Sequence, residues 1–198
     1  LLAEIREYAM AEIRLDLCDL KIREIRELFK SHDNLIATFR KSAKINDKKR
    51  KNQLIRAMES GAAFIDLDYI NDSEIFPELH DVALKNGCRL IISYHDYEKT
   101  PSIEFISDII SKMLEAEADL IKLAFTSNSD EDNKRVLSLY DNYDNLLAFN
   151  MGEKGKITRS ASLRLGAPFT YVCGANSPTA EGQMTLIEMK LYSRKAVI

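Results

Sequence analysis

Lys122 lies in the apolar run LIKLA (120–124), flanked by Ile121 and Leu123. An ammonium so placed cannot readily reach water, and desolvation favours its neutral form. An amine with a solution pKa of about 10.4 is almost wholly protonated at neutral pH and cannot attack a carbonyl. A buried lysine on a short strand is therefore suited to condense with a carbonyl substrate as a Schiff base. It is read equally well as a structural lysine whose stem packs and whose head snorkels out at a strand end. His95, in SYHDYEKTP, follows the apolar run RLIISY (89–94) and precedes a helix that Pro101 and Ser102 start. An ordinary pKa of about 6.5 suits histidine to shuttle protons, although a lone loop histidine is more often a surface residue.

Other ionisable residues interrupt runs that ought to be apolar. In AEIRLD (11–16), Glu12, Arg14 and Asp16 alternate with Ile13 and Leu15; in FIDLDY (64–69), Asp66 and Asp68 alternate with Ile65 and Leu67; Arg40 directly follows LIATF (35–39). Successive strand residues point to opposite faces, so each run has an apolar face to pack under helices and a charged face turned inward. Buried unpaired charge is costly, so such a cluster either pairs within itself or serves a ligand.

The elements that must position these groups follow from periodicity. Seven short apolar runs can be counted: the five above, LLAFN (146–150) and FTYVC (169–173). Between them lie patterns with apolar residues at three- and four-residue spacing, including KIREIRELFKSH, DKKRKNQLIRAMESG, SEIFPELHDVALKNG, SIEFISDIISKMLEAEA and SDEDNKRVLSLYDNY. Gly61 and Gly87 end helices, and Ser129 or Asp130 opens one. Strict alternation without hairpin signals predicts parallel strands with helical crossovers, an α/β class. The chain opens on a helical stretch, LLAEIREYAM, and closes on another, QMTLIEMKLYSRKA, so eight helices accompany seven strands. One further strand before Leu1 would complete a (β/α)8 TIM barrel, and the expectation is such a barrel lacking its first strand, as a single domain over residues 1–198. A natural seven-stranded or open barrel fits the same count. In a barrel the charged groups fall at or near the carboxyl ends of strands, the face where barrel enzymes keep their sites.

Composition excludes several classes. The 198 residues are 45% hydrophobic and 30% charged, ordinary for one globular domain. With 28 basic and 31 acidic residues interspersed there is no basic stripe for nucleic acid. No apolar run approaches the roughly 20 residues of a membrane span, and the amino terminus is charged where a signal peptide is apolar, so a soluble cytoplasmic protein is expected. Cys18, Cys88 and Cys173 have no metal-ligand or disulfide spacing and are expected as free thiols. His32 and His80 sit in helical surface patterns and receive no role.

EIRLD, ATFR, IDLDY, SYHDYEKTP, ADLIKLA, FNMGEKGKITR and SPTAEGQMT occur in the order, and at about the spacing, of the type I 3-dehydroquinate dehydratases, which the chain resembles from about Ala11 to about Glu188. The resemblance implies syn elimination of water from 3-dehydroquinate to 3-dehydroshikimate in the shikimate pathway. It makes Lys122 the Schiff-base lysine and His95 the general acid/base. Asp68 falls where the family usually has a glutamate orienting that histidine; being a methylene shorter, it would work through a bridging water. Glu12 and Arg14 match residues that contact the substrate hydroxyls and organise the pocket, Arg40 matches another polar contact, and Arg159 matches the clamp on the substrate carboxylate. Thr179 and Gln183 occupy the Ser and Gln positions of an SxxxQ pattern, in a segment, ANSPTAEGQ (175–183), that resembles a loop closing over substrate; read without the family it is an ordinary surface turn. No metal and no cofactor beyond the imine are implied, and the family suggests a homodimer. Members begin with a strand that this sequence lacks. Two other functions compete: another Schiff-base barrel lyase such as an aldolase, disfavoured by Arg159 and Gln183, and a non-catalytic barrel that binds a polyhydroxy carboxylic acid.

Overall fold

The computed structural model describes residues 5, 8–43, 45–174 and 182–195. Six strands follow one another across the sheet in sequence order: β1 (Ala11–Arg14), β2 (Leu35–Thr38), β3 (Phe64–Asp68), β4 (Arg89–Asp96), β5 (Leu120–Thr126) and β6 (Leu146–Met151). The registers of β1 with β2, β2 with β3, β3 with β4 and β5 with β6 are parallel. Parallel neighbours need a crossover, which is why a helix separates each pair. These helices are α1 (Ile22–Phe29), α2 (Asp47–Met58), α3 (Phe76–Asn86), α4 (Ile103–Glu115) and α5 (Asp130–Leu137), with α6 (Lys156–Leu165) and α7 (Leu186–Lys195) after β6. The α/β class expected from the alternation is the class observed. None of the described helices is long and apolar enough to cross a membrane.

The chain divides into two compact units, residues 1–93 with 117–119 and residues 94–116 with 120–198, so β4 contributes Arg89–Ser93 to the first and Tyr94–Asp96 to the second. In the first unit β2 is buried at every residue, and α1 and α2 bury Ile25, Leu28 and Phe29, and Leu54, Ala57 and Met58. In the second, α4 buries Ile106, Ile109, Ile110 and Met113, the spacing of one helical face. Each of the Ile, Leu, Phe and Met side chains among these contributes about 1.5–3 kcal/mol on leaving water.

The punctuation works as expected. Ser102 caps α4 by accepting from Phe105 N, Ser129 forms a capping box with Asp132 at the start of α5, and Gly87 closes α3 at a left-handed φ of 64°. The described cysteines are free thiols, Cys88 and Cys173 buried. Of the amino-terminal stretch LLAEIREYAM only Ile5 and residues 8–10 are described, and Ile5 is helical.

Two expectations are corrected. His95 does not follow its strand; β4 runs on through Asp96, which stops it by accepting from Glu98 N and Lys99 N. The seventh strand, expected at 169–173, is absent: within it only Cys173 makes a bridge, to Thr185. The reason lies at β6. Ile121 N donates to Asn145 O and Ser127 N to Met151 O, so odd-numbered residues here turn their backbone groups to β5 and even-numbered ones turn theirs away. Three of those outward groups are already taken. The Tyr140 hydroxyl accepts from Ala148 N at 2.8 Å and donates to Ala148 O at 2.9 Å, while Thr158 Oγ1 accepts from Asn150 N at 2.7 Å. Side chains thus do what a seventh strand would have done, and blunt an edge that would invite pairing.

Burial pushes the Tyr140 hydroxyl from 10 up to about 12 and the Cys88 thiol from 9 up to about 12. A pKa raised by folding contributes stability that is complete below the unfolded value and lost as pH rises through the folded one. Tyr140→Phe should therefore cost about 1–3 kcal/mol at neutral pH, by stranding Ala148 N–H. In urea titrations it should also flatten the loss of stability between about pH 10 and 12, leaving the Cys88 part. An alkaline decline as steep as wild type would show that Tyr140 does not secure this edge.

Candidate active site

In the first unit the charged faces of β1 and β3 become a network. Arg14 donates to Asp16 through Nε at 3.0 Å and Nη2 at 2.6 Å, a two-point pair. Glu12 accepts from Thr38 Oγ1 at 2.6 Å. Arg40, just beyond β2, donates to Asp66 at 2.9 Å and to Ser93 Oγ at 3.0 Å, and Ser93 donates onward to the same Asp66 oxygen at 2.6 Å. Burial works against the Arg40 charge, but Asp66, Glu12 and Asp68 outweigh it and hold its pKa above the ordinary value. Burial likewise pushes Asp16 up, and the Arg14 hydrogen bond and charge more than reverse this, leaving it below the usual carboxylate value. Asp68 Oδ1 accepts from Ile70 N, Asn71 N and Asn71 Nδ2, which builds the turn after β3.

The second unit holds the other candidates. Lys122, on β5, is 5% exposed, and its Nζ lies 4.2 Å from the centroid of the Tyr171 ring. His95, near the end of β4, stacks on Tyr97 with centroids 5.9 Å apart. Arg159 is carried by α6, whose approach to β6 is fixed by close packing. A Cβ on Gly155 would collide with the Met151 carbonyl oxygen and come within 2.6 Å of the Asn150 carbonyl carbon. Thr158 ties the same turn down, donating to Gly155 O while accepting from Asn150 N. Asn150, fully buried, is held in turn by Thr100 and Asn133.

Arg159 differs from Arg14 and Arg40. Its guanidinium is 2% exposed and lies 4.2 Å over the Phe149 ring, and among the described residues no carboxylate pairs with it and its Nε has no hydrogen-bond partner. Burial pushes its pKa down to about 10, with Cys173 acting in the opposite direction. A buried cation without a counter-ion is a strong acceptor site for an anion. Gln183 is half-buried beside Gly182, which at a φ of 73° packs on the Gly152 backbone so closely that a Cβ would fall 2.8 Å from Gly152 C. Thr179 lies outside the described residues. Among the described residues no three His, Cys, Asp or Glu side chains are gathered for a metal ion.

Of the predicted residues, the first unit therefore brings together Glu12, Arg14, Arg40 and Asp68, and the second carries Lys122, His95, Arg159 and Gln183. Two further residues belong with them. The alternation in FIDLD already marked Asp66 as inward-facing without assigning it a role, and it proves to be the partner of Arg40. Tyr171 was placed in a strand that does not form, and no signal in the sequence marks it as the ring over Lys122.

The family model for type I 3-dehydroquinase matches residues 2–194. The chain belongs to this family. It is 36% identical over 195 residues to the 3-dehydroquinate dehydratase of Thermococcus gammatolerans, covering 95% of this chain and 89% of that protein. It is 32% identical over 186 residues to that of Pyrococcus abyssi, covering 91% and 84%. Among solved structures, the type I 3-dehydroquinate dehydratase from Clostridium difficile superposes with a TM-score of 0.83 at 24% identity, covering 98% of this chain and 84% of that one. The Aquifex aeolicus enzyme gives 0.81 at 24%, covering 99% and 92%. These likenesses establish the fold as the (β/α)-barrel type of the type I 3-dehydroquinases.

The contrast between the arginines can be measured. Arg40→Met leaves Asp66 buried without its cation and should cost about 3–5 kcal/mol, whereas Arg159→Met removes an uncompensated charge and should leave the ligand-free protein as stable as wild type or more so. Urea unfolding at neutral pH distinguishes the two. Equal losses in both variants would contradict the assignment of Arg159 as the cation held ready for an anion.

Proposed function

We propose that this chain is a 3-dehydroquinate dehydratase that eliminates water through a Schiff base on Lys122. The observation that carries the proposal is Arg159, a buried guanidinium left without a carboxylate among the described residues, in the same compact unit as a buried lysine. A substrate with both a ketone and a carboxylate satisfies both groups. Family membership supports the choice of 3-dehydroquinate, and the Clostridium difficile relative, whose structure carries covalently modified comenic acid, fits covalent chemistry.

In this reading Lys122 condenses with the ketone, whose oxygen leaves as water, and the protonated imine draws electrons from the neighbouring carbon as its proton leaves; hydrolysis of the imine then frees the product ketone and the amine. His95 takes that proton and returns it to the departing hydroxyl. Arg159 grips the carboxylate with its planar fork. Glu12 and Arg14 contact hydroxyls, Arg40 makes another polar contact, and Gln183, with Thr179, adds polar contacts from the 175–183 segment. Asp68 acts through the turn it builds. The chemistry needs no cofactor beyond the imine. The chain would serve the shikimate pathway, in the cytoplasm and as a homodimer.

Incubation with 3-dehydroquinate followed by borohydride should leave a reduced adduct on the peptide containing Lys122, detected by mass spectrometry; folded protein without an adduct would defeat the Schiff-base reading. His95→Ala should still form the adduct while turnover falls by about 10²–10⁴-fold, the usual contribution of a general acid/base. Turnover close to wild type would remove His95 from the mechanism.

A further inference from the structure

Arg50 has no part in the chemistry above, yet it is among the largest fully buried side chains of the protein. It sits on α2 in DKKRKNQ, a run that reads as a solvated basic face. Its guanidinium is wholly engaged: Nη1 with Asp47, Nη2 with Asp72, and Nε and Nη2 with the Phe39 carbonyl oxygen at 3.4 and 3.3 Å. Asp72, 1% exposed, uses its second oxygen to accept from Asp68 N at 2.8 Å, and its own N–H donates to Asp68 O at 2.9 Å. One guanidinium therefore ties the exit of β2 to the exit of β3. Phe39 immediately precedes Arg40, and Asp68 lies two residues beyond Asp66, the carboxylate on which Arg40 rests.

Stability does not explain such a pair, because a well-packed apolar pair of the same volume is often as stable or more so. What an apolar pair cannot do is hold two carboxylates and a backbone carbonyl in one plane, as a guanidinium does. We propose that Arg50 and Asp72 form a positioning pair that fixes the backbone on either side of the Arg40–Asp66 contact and so sets where the Arg40 guanidinium meets ligand. The ligand contact rests on the dehydratase reading; the mechanical link does not.

The test compares Arg50→Met with Leu54→Ala, which empties a buried apolar site one turn further along α2 and removes none of these polar groups. At a temperature where both are folded, Arg50→Met should lower kcat/KM for 3-dehydroquinate by about ten- to a hundredfold, mainly through KM, the scale of loss that a small misplacement produces. Leu54→Ala should stay within about twofold, as substitutions remote from the reacting groups do. Combined with Arg40→Lys, Arg50→Met should add much less than its own single effect, since both act on one contact. Hydrogen exchange gives a readout free of turnover: the amides of Arg40 and Asp68 should exchange faster in Arg50→Met but not in Leu54→Ala. Unchanged exchange at those amides, kcat/KM equal to that of Leu54→Ala, or strictly multiplicative effects with Arg40→Lys would overturn the proposal. A wild-type protein without turnover, in which the amides still respond to Arg50→Met, would defeat the dehydratase reading and uphold the link. If Arg50→Met does not fold, Asp72→Asn, which keeps the shape and loses the charge, is read by the same measurements.

Discussion

Arg40, Arg50 and Arg159 all carry guanidiniums largely withdrawn from water, and a charge in that setting needs compensation or it favours the unfolded chain. The protein meets this constraint in three ways. Arg50 is saturated by Asp47, Asp72 and a backbone carbonyl, and is a structural tie. Arg40 rests on Asp66 and Ser93 within a field of further carboxylates that keeps it charged and in place. Arg159 has an aromatic face and, among the described residues, no acid. The gradient from full to minimal compensation runs from the scaffold arginine to the one proposed to contact ligand, and it separates two settings that the residue type alone does not.

A second regularity lies in how the loops after the strands are held. Carboxylates do it repeatedly. Asp16 accepts from Arg40 N, Asp72 from Asp68 N, Asp96 from Glu98 N and Lys99 N, and Asp132 from Asn128 N and Ser129 N. Backbone donors at a strand exit have lost their ladder partners and must be satisfied. Asp96 and Asp132 each satisfy two at once and fix the turn. Asp132 illustrates the consequence: burial pushes it up, but the bonds from Asn128, Arg135 and Ser129 prevail and hold it below the usual carboxylate value. The loops held by Asp16 and Asp132, both below the usual carboxylate value, thus stay formed while these two acids remain ionised, and loosen as they protonate.

Much of this was legible in the sequence because it is periodic or local. Alternating apolar runs and helical spacing give six strands and their crossovers, and Ser102, Ser129 and Gly87 mark their helix ends for stereochemical reasons that need no tertiary context. The inward charges of AEIRLD and FIDLDY follow from the two-residue period of a strand. What the sequence hides is whatever depends on tertiary partners. FTYVC has the composition of a strand, but whether it joins a sheet depends on Tyr140 and Thr158 having already taken the backbone of β6. Arg50 looks like its neighbours Lys49 and Lys51, and only the fold turns it inward. Tyr171 meets Lys122 across nearly fifty positions of chain, a distance no local pattern spans.

The use of aromatic rings beneath cations in the second unit has a geometric logic. The donors of a guanidinium lie in its plane, whereas a ring attracts it from the face, by about 0.5–2 kcal/mol. Phe149 can therefore steady Arg159 without occupying the edge that a carboxylate would grip. An internal acid would stabilise the free protein more, but it would take that edge and compete with any incoming anion. Tyr171 likewise meets Lys122 through its ring, with Nζ 4.2 Å from the centroid. Holding the Arg159 charge by its face leaves its bonding directions to an incoming anion. In the proposed reading the part of its desolvation that goes uncompensated is recovered when that anion binds, which ties the stability of the unit to occupancy of the site.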